Sequence, residues 1–149
     1  MRVSLRQLIQ CSGKGSNYPE QDLASWLAHG HRLGVTRDYY YGPEITKVLQ
    51  RYRNQVSEVN DVQNYRKLQL GRIDGFLGDI LATPWGLKRE GLAEEVVPHI
   101  MGVYETPTFF MLSKKTLSGE FVQRFNQALE AVGKSEEHAL IWRRYLPAR

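Results

Sequence analysis

Residues 55–77 have the sequence QVSEVNDVQNYRKLQLGRIDGFL, and this stretch decides the fold. Its first five residues are rich in valine and predict a strand. Asp61 is then expected to cap a helix that Gly71 ends, and Ile73 begins a second apolar run that predicts another strand. A strand, a helix and a strand in succession are typical of a parallel sheet, because a parallel connection needs a crossover of this length.

The same alternation continues on both sides of this stretch. Upstream, residues 32–36 predict a buried strand, and Pro43 predicts the start of a helix because proline is tolerated at the first helical position. Downstream, Thr83 predicts the N-cap of a helix that ends at Gly91, and residues 96–100 predict a further strand. The sequence therefore predicts an α/β fold with a mostly parallel sheet of four or five strands, flanked by helices.

The two ends of the chain have a different character. The segment from Val3 to Ile9 predicts an edge strand, and residues 22–29 predict a short helix. Near the other end, residues 106–112 predict a strand, and two amphipathic helices are expected over 118–132 and from Ser135 onward. The apolar faces of these last two helices need a surface on which to pack.

Composition places few limits on function. The chain has 149 residues, 42% of them hydrophobic and 24% charged, with a net charge of +4, which is an ordinary globular balance. Cys11 is the single cysteine, so no intrachain disulfide is expected. Residues 1–10 lack the apolar run of a signal peptide, and no stretch has the length and hydrophobicity of a membrane span. We expect no cofactor and, because the basic residues Arg143, Arg144 and Arg149 lack a groove-reading helix, no nucleic-acid partner.

Several segments, in order along the chain, carry a resemblance to a known family. They are Asp22-Leu23, His31-Arg32-Leu33-Gly34-Val35, Tyr40-Tyr41-Gly42, Leu70-Gly71-Arg72-Ile73-Asp74-Gly75-Phe76-Leu77-Gly78-Asp79, the run from Pro107 to Lys115, and Ile141-Trp142-Arg143-Arg144-Tyr145-Leu146. The sequence resembles the bacterial extracellular solute-binding proteins of family 3, which have the type II periplasmic binding fold. The string from Gly71 to Asp79 is the most specific part of this resemblance.

The resemblance implies a domain organisation. Members of the family have two α/β lobes, joined by crossing strands, with a solute held in the cleft between them. By this comparison, residues 1–30 form an N-terminal strand, loop and short helix, and residues 31–103 form the second lobe. Residues 104–149 then supply a crossing strand and the C-terminal helices of an incomplete first lobe. The resemblance implies periplasmic location and a transporter or sensor partner, as in amino-acid uptake by ABC transporters.

The candidate ligand-binding residues lie at the predicted carboxyl ends of the strands, where open α/β sheets place their ligands. In the family, the aspartate that matches Asp79 accepts the amino group of the solute; the alternative is that Asp79 caps the following segment. Tyr39, Tyr40, Tyr41 and Trp85 could line a cleft that suits a cationic or ring-bearing solute, or they could fill space between helix and sheet.

Asp38 marks a departure from the family pattern. Relatives commonly have a glycine followed by threonine or serine in this loop, where helix N–H groups hold the carboxylate of an amino acid. An aspartate at a helix start is expected to accept bonds from those N–H groups itself, and its charge repels a carboxylate. The sequence therefore predicts a polar solute, but not a standard amino-acid pocket.

Other chemistry is not indicated by the sequence. His29 and His31 are two residues apart, but His99 and His138 lie far from them in sequence, so no metal-ligand set is expected. No nucleophile, base and orienting group converge, which predicts a binding protein and not an enzyme. The alternative is a degenerate relative that serves as an interaction or oligomerisation module. In either case, the unpartnered C-terminal helices predict a homodimer.

Overall fold

The computed structural model describes residues 4–145, without the side chains of residues 4–10, 100–102, 106, 108 and 145. Val3, Leu146 and Arg149, which enter the predictions above, lie outside the described residues. The strands are β1 (Ser4–Gly13), β2 (Leu33–Thr36), β3 (Val56–Val59), β4 (Gly75–Asp79) and β5 (Val96–Thr108). The α-helices are α1 (Leu23–Ala28), α2 (Gly42–Arg51), α3 (Asp61–Gln69), α4 (Ala82–Arg89), α5 (Gly119–Gly133) and α6 (Glu136–Tyr145).

The five strands form one sheet in the order β3-β2-β4-β1-β5. β2 pairs in parallel with both β3 and β4, whereas β1 runs antiparallel to its two neighbours, β4 and β5. Four of the five strands therefore point in the same direction. The predicted α/β class and mostly parallel sheet are confirmed.

Two strand predictions were wrong. The N-terminal strand is not at the edge of the sheet but between β4 and β5, because its backbone pairs on one side with residues 75–79 and on the other with residues 96–108. The two strands predicted near residues 100 and 110 are one long strand, β5, that ends at Thr108. β1 pairs with both ends of this strand, and the register shifts on either side of Gln10, so one irregular ladder replaces two separate strands.

Helix starts differ from the sequence prediction by one to two residues. Asn60, and not Asp61, is the N-cap of α3, because its side chain accepts the N–H of Gln63 at 2.8 Å while the Gln63 side chain accepts the Asn60 N–H at 3.2 Å. This reciprocal pair is a capping box. α4 begins at Ala82, so Thr83 is a buried residue inside the helix and not its cap.

Two apolar layers cover the sheet. On one face, Tyr65 and Leu68 of α3 and Leu87 of α4 pack against Phe76 and its neighbours. The other face is covered by α1 and α2, and the residues of its core are Leu23, Trp26, Leu27, Leu33, Val35, Tyr41 and Leu77. β2 is buried at all four positions, as expected for a strand with helices on both faces.

The C-terminal segment is not part of this core. No described residue between 109 and 144 is buried, and the main packing partners of α5 and α6 are each other. Several large apolar side chains are left in solvent there, among them Phe109, Phe110, Met111, Leu140 and Ile141. No helix within residues 4–145 has both the length and the apolar character needed to cross a membrane.

Candidate functional site

The candidate site lies where β2 and β4 end. These strands are parallel neighbours, so Thr36, at the end of β2, and Asp79, at the end of β4, lie at the same edge of the sheet. Each is followed by a short turn and then by a helix, α2 or α4. The carboxyl edge of such a sheet is where loops and helix N-termini can surround a small molecule.

The turn after β2 has an unusual backbone at Asp38. Its φ of 60° is in the left-handed region, which aspartate tolerates better than most residues. The N–H of Tyr39 donates to the carbonyl of Thr36 at 3.3 Å, which closes the turn. The N-cap of α2 is Tyr41, without a side-chain capping bond, so the prediction that Asp38 caps this helix was wrong. The turn places the Asp38 carboxylate in solvent, three residues before the N-cap.

A cavity of about 410 Å³ lies beside this turn, between α2 and β3. Asp38 and Tyr39 both line it, and its other polar lining residues are Thr36, Tyr41, Thr46, Gln50, Arg53 and Glu58. The cavity thus carries two carboxylates and one guanidinium. A second cavity, of about 370 Å³, is lined by residues that include Gly13, Lys14 and Glu95 and by none of the predicted site residues.

The remaining tyrosines of the turn have separate environments. Tyr41 is in the core: its hydroxyl oxygen accepts the N–H of Thr36 at 2.7 Å, and burial raises the pKa of Tyr41 to about 12. It is therefore a packing residue, and it also forms part of the wall of the 410 Å³ cavity. Tyr40 is 63% exposed, and its ring lies edge-on to that of Tyr104 with centroids 6.1 Å apart. The neighbouring phenol of Tyr104 raises the pKa of Tyr40.

Asp79 caps the segment that follows it, which is the alternative to solute binding that the sequence left open for this residue. One carboxylate oxygen, Oδ1, accepts the backbone N–H groups of Leu81 and Ala82, both at 2.9 Å. These bonds satisfy N–H groups at the start of α4, which explains why this helix begins before Thr83. The contact fixes the Asp79 carboxylate at the carboxyl end of β4.

Trp85 is 59% exposed on α4, and it does not line the 410 Å³ cavity; nor do Asp79 and Tyr40. Sequence reasoning missed Arg53 and Glu58, which line the cavity, and Tyr104, which contacts Tyr40. Arg53 begins the 3-10 turn (Arg53–Gln55) that connects α2 to β3, whereas Glu58 lies within β3, and the two residues form no sequence motif. Only the fold brings them together.

The histidines and the cysteine lie elsewhere. His29 Nδ1 is 2.9 Å from the Ser25 carbonyl oxygen and 3.0 Å from Glu20 Oε1. Within residues 4–145, no three His, Cys, Asp or Glu side chains are grouped so that they could hold a metal ion. Burial raises the pKa of the Cys11 thiol to about 12, so this thiol remains protonated at neutral pH.

Comparison with known sequences gives no match: no protein-family model and no curated protein matches the chain. Solved structures do match. An ancestral arginine-binding protein bound to glutamine is 18% identical, with a TM-score of 0.65, and the match covers 97% of this chain and 61% of that chain. A histidine kinase sensor domain with similarity to periplasmic binding proteins is 16% identical, with a TM-score of 0.69 and coverages of 97% and 60%.

An ancestral cationic amino acid solute binding protein is 12% identical, with a TM-score of 0.71, and the match covers 98% of this chain and 60% of that chain. The chain thus spans about three-fifths of the length of the solved structures that it matches. At these identities the likeness concerns the fold. The chain has a periplasmic-binding-protein-like fold over the part that it shares with them.

Proposed function

We propose that this periplasmic-binding-protein-like chain is a solute-binding domain, with transport or sensory function, that takes a polar, amine-bearing small molecule at the carboxyl edge of its sheet. The observation that carries the proposal is the 410 Å³ cavity at the turn after β2, lined by Asp38 and Tyr39. Small-molecule sites commonly have volumes of roughly 300–1,000 Å³ with a few placed polar groups.

The charges of the cavity favour a cation. Asp38 and Glu58 supply two carboxylates against the single guanidinium of Arg53, so an ammonium or guanidinium group is attracted more strongly than a carboxylate. Tyr39 adds an aromatic ring, which also favours a cation. In the proposal, Tyr40, Asp79 and Trp85 extend the site along the same edge, outside the cavity itself.

The biological setting follows from the fold only as a proposal. The similar structures include a binding protein for amino acids and a kinase sensor domain. By analogy, the chain acts in the periplasm with a transporter or a sensor as its partner, and it performs no chemistry on its ligand. In this proposal, residues 1–149 on their own bury only one side of a ligand, so we expect weak binding by this chain on its own, with Kd on the order of 1 mM or above.

Titration calorimetry or NMR with two matched probes tests the proposal. Agmatine is arginine without its carboxylate, and we expect it to bind more tightly than arginine because Asp38 repels the carboxylate of arginine. Asp38→Asn should weaken agmatine binding by about fivefold to tenfold, the effect of losing roughly 1 kcal/mol of ion pairing. Glu44→Gln, which removes an exposed carboxylate outside the cavity, is the control.

Absence of saturable binding to either probe by the folded chain would contradict the proposal. Asp79 needs a different substitution, because its carboxylate also caps α4. Asp79→Asn keeps an acceptor for the N–H groups and removes the charge. Reduced agmatine affinity with unchanged thermal stability would place Asp79 in the site.

The second candidate function is an interaction module without solute binding. The observation that favours it is the C-terminal segment, whose large apolar side chains are not covered by the rest of the chain. A homodimer would cover them. The two functions are compatible, since the cavity at Asp38 and the C-terminal helices are formed by different elements.

A further inference from the structure

Helix α6 has two distinct faces. On one face, His138 and Trp142 are partly buried, and the indole N–H of Trp142 donates to His138 Nε2 at 3.0 Å. These residues are one helical turn apart, so they mark a single side of the helix. Apart from Ala139, the exposed residues among 136–144 lie on the opposite side.

The exposed face of α6 has acidic, apolar and basic residues that follow one another along the helix. Its residues, from the start of α6 to its end, are Glu136, Glu137, Leu140, Ile141, Arg143 and Arg144. At about 100° per residue they fall within one half of the helix circumference. Acidic residues therefore occupy one end of the face, basic residues the other, and Leu140 and Ile141, which are 60% and 50% exposed, lie between them.

This order makes the face complementary to itself. Glu136 precedes Arg143 by seven residues, a rise of about 10.5 Å. If a second α6 is placed antiparallel across a two-fold axis near Leu140, the acidic end of each helix faces the basic end of the other. In a parallel arrangement, by contrast, like charges would face each other. An interface between identical patches related by a two-fold axis is the commonest form of homodimer.

We propose that α6 is the contact surface for a second copy of this chain, in antiparallel pairing, with Leu140 and Ile141 at the centre and the Glu136–Glu137 and Arg143–Arg144 pairs at the rim. The charges at each end also complement the dipole of their own helix. That effect does not account for two exposed aliphatic residues between them. The proposal does not rest on solute binding.

The apolar residues supply most of the attraction, and the charges set the orientation. Exposed ion pairs contribute roughly 0–1 kcal/mol each, so they select the antiparallel arrangement more than they drive it. α5 offers further apolar area beside α6, since Phe121 and Val132 are 46% and 54% exposed. Packing of the two α5–α6 hairpins together would cover this area as well.

Charge reversal tests the surface. Glu136→Lys/Glu137→Lys and Arg143→Glu/Arg144→Glu each bring like charges together in the antiparallel dimer, so each variant should dissociate at least tenfold more readily than the wild-type chain. An equimolar mixture of the two variants restores opposite charges at both ends and should restore the dimer. The measurement is light scattering at micromolar concentration, where the wild-type chain should have twice the 17.2 kDa mass of one copy.

Three results would overturn the proposal: a wild-type chain that is monomeric, a dimer that neither variant weakens, or variants that stay monomeric when mixed. Far-UV circular dichroism must show that each variant keeps its helices. If a charge-reversal variant loses helix content, Leu140→Asp takes its place, and this variant should also be monomeric. Agmatine titration of the monomeric variants keeps the two proposals separate, because loss of pairing should leave solute binding unchanged.

Discussion

At the residue scale, the ion pair between Arg32 and Asp74 joins two parts of the chain that are 42 residues apart. The backbone N–H and the Nε of Arg32 donate to Asp74 Oδ2 at 2.7 and 3.0 Å, and Nη2 donates to Oδ1 at 2.8 Å. Asp74 lies just before β4, so this ion pair fixes the point at which the strand begins. The hydrogen bonds and charge of Arg32 lower the pKa of Asp74.

Asp74→Asn should lower the free energy of unfolding at pH 7 by about 1 kcal/mol, since the pair is partly exposed and screened. The pKa of Asp74 is lower in the folded chain than in the unfolded chain, so its contribution is fully present above the unfolded value. It is lost as pH falls through the folded value. Urea unfolding at pH 7 and near pH 3 should therefore show a smaller difference between variant and wild type at the lower pH. A constant difference would contradict the assignment.

At the element scale, the start of α2 depends on a glycine. Gly42 has a φ of +78°, and a Cβ at this position would lie 2.2 Å from Cε2 of Tyr104. The helix therefore begins against the ring of a residue on β5, the strand at the far side of the sheet from β3. Absence of a side chain at Gly42 permits this close contact, and the contact sets where the turn that carries Asp38 and Tyr39 lies.

Gly42→Ala should lower stability by about 2–3 kcal/mol, because the left-handed backbone and the clash with Tyr104 both oppose it. Gly91→Ala is the matched control: its φ is +74°, but no atom lies within 4 Å of the added Cβ, so only the backbone cost of about 1 kcal/mol applies. Thermal unfolding of the two variants gives the comparison. Equal losses of stability in the two variants would mean that the clash with Tyr104 adds nothing to the cost of Gly42→Ala.

The sequence predicts which segments are helices and which are strands, but it predicts their first and last residues less well. Apolar periodicity and local start or stop signals predicted all six helices within residues 4–145, because these signals lie in or next to each helix. The start of α4 was missed since its N–H groups are capped from Asp79, which lies in the preceding strand. The length of β5 was missed because it depends on pairing with β1, more than 80 residues away in sequence. Long-range pairing leaves no local signal.

At the scale of the whole molecule, the helices α1 to α4 and the sheet form one packed body, and the hairpin of α5 and α6 packs mainly on itself. The candidate site belongs to the body. Strand order predicts that its residues lie at the carboxyl edge of the sheet. The cavity could not be predicted, because Arg53 and Glu58 line it only through the packing of α2 beside β2 and β3.

A chain that ends at residue 112 should therefore keep the folded body. We expect a cooperative thermal transition within about 5 °C of the full-length chain, the shift that corresponds to roughly 1 kcal/mol in a domain of this size. Near-UV circular dichroism, which reports the buried Trp26, is the measurement. The full chain must be compared at a concentration where it is monomeric. Loss of the transition would show that the hairpin stabilises the body.

The interior position of β1 has a kinetic consequence. This strand is the first along the chain, yet its partners are β4 and β5, so its hydrogen bonds close loops of more than 60 residues. β2, β3 and β4 can pair earlier, through shorter connections. Since rates of folding fall as contacts become more distant in sequence, we expect the insertion of β1 to be a late and slow step. During synthesis on the ribosome, β1 would wait for residues 75–79 to emerge before it pairs at all, and for residues 96–108 before both of its edges are paired.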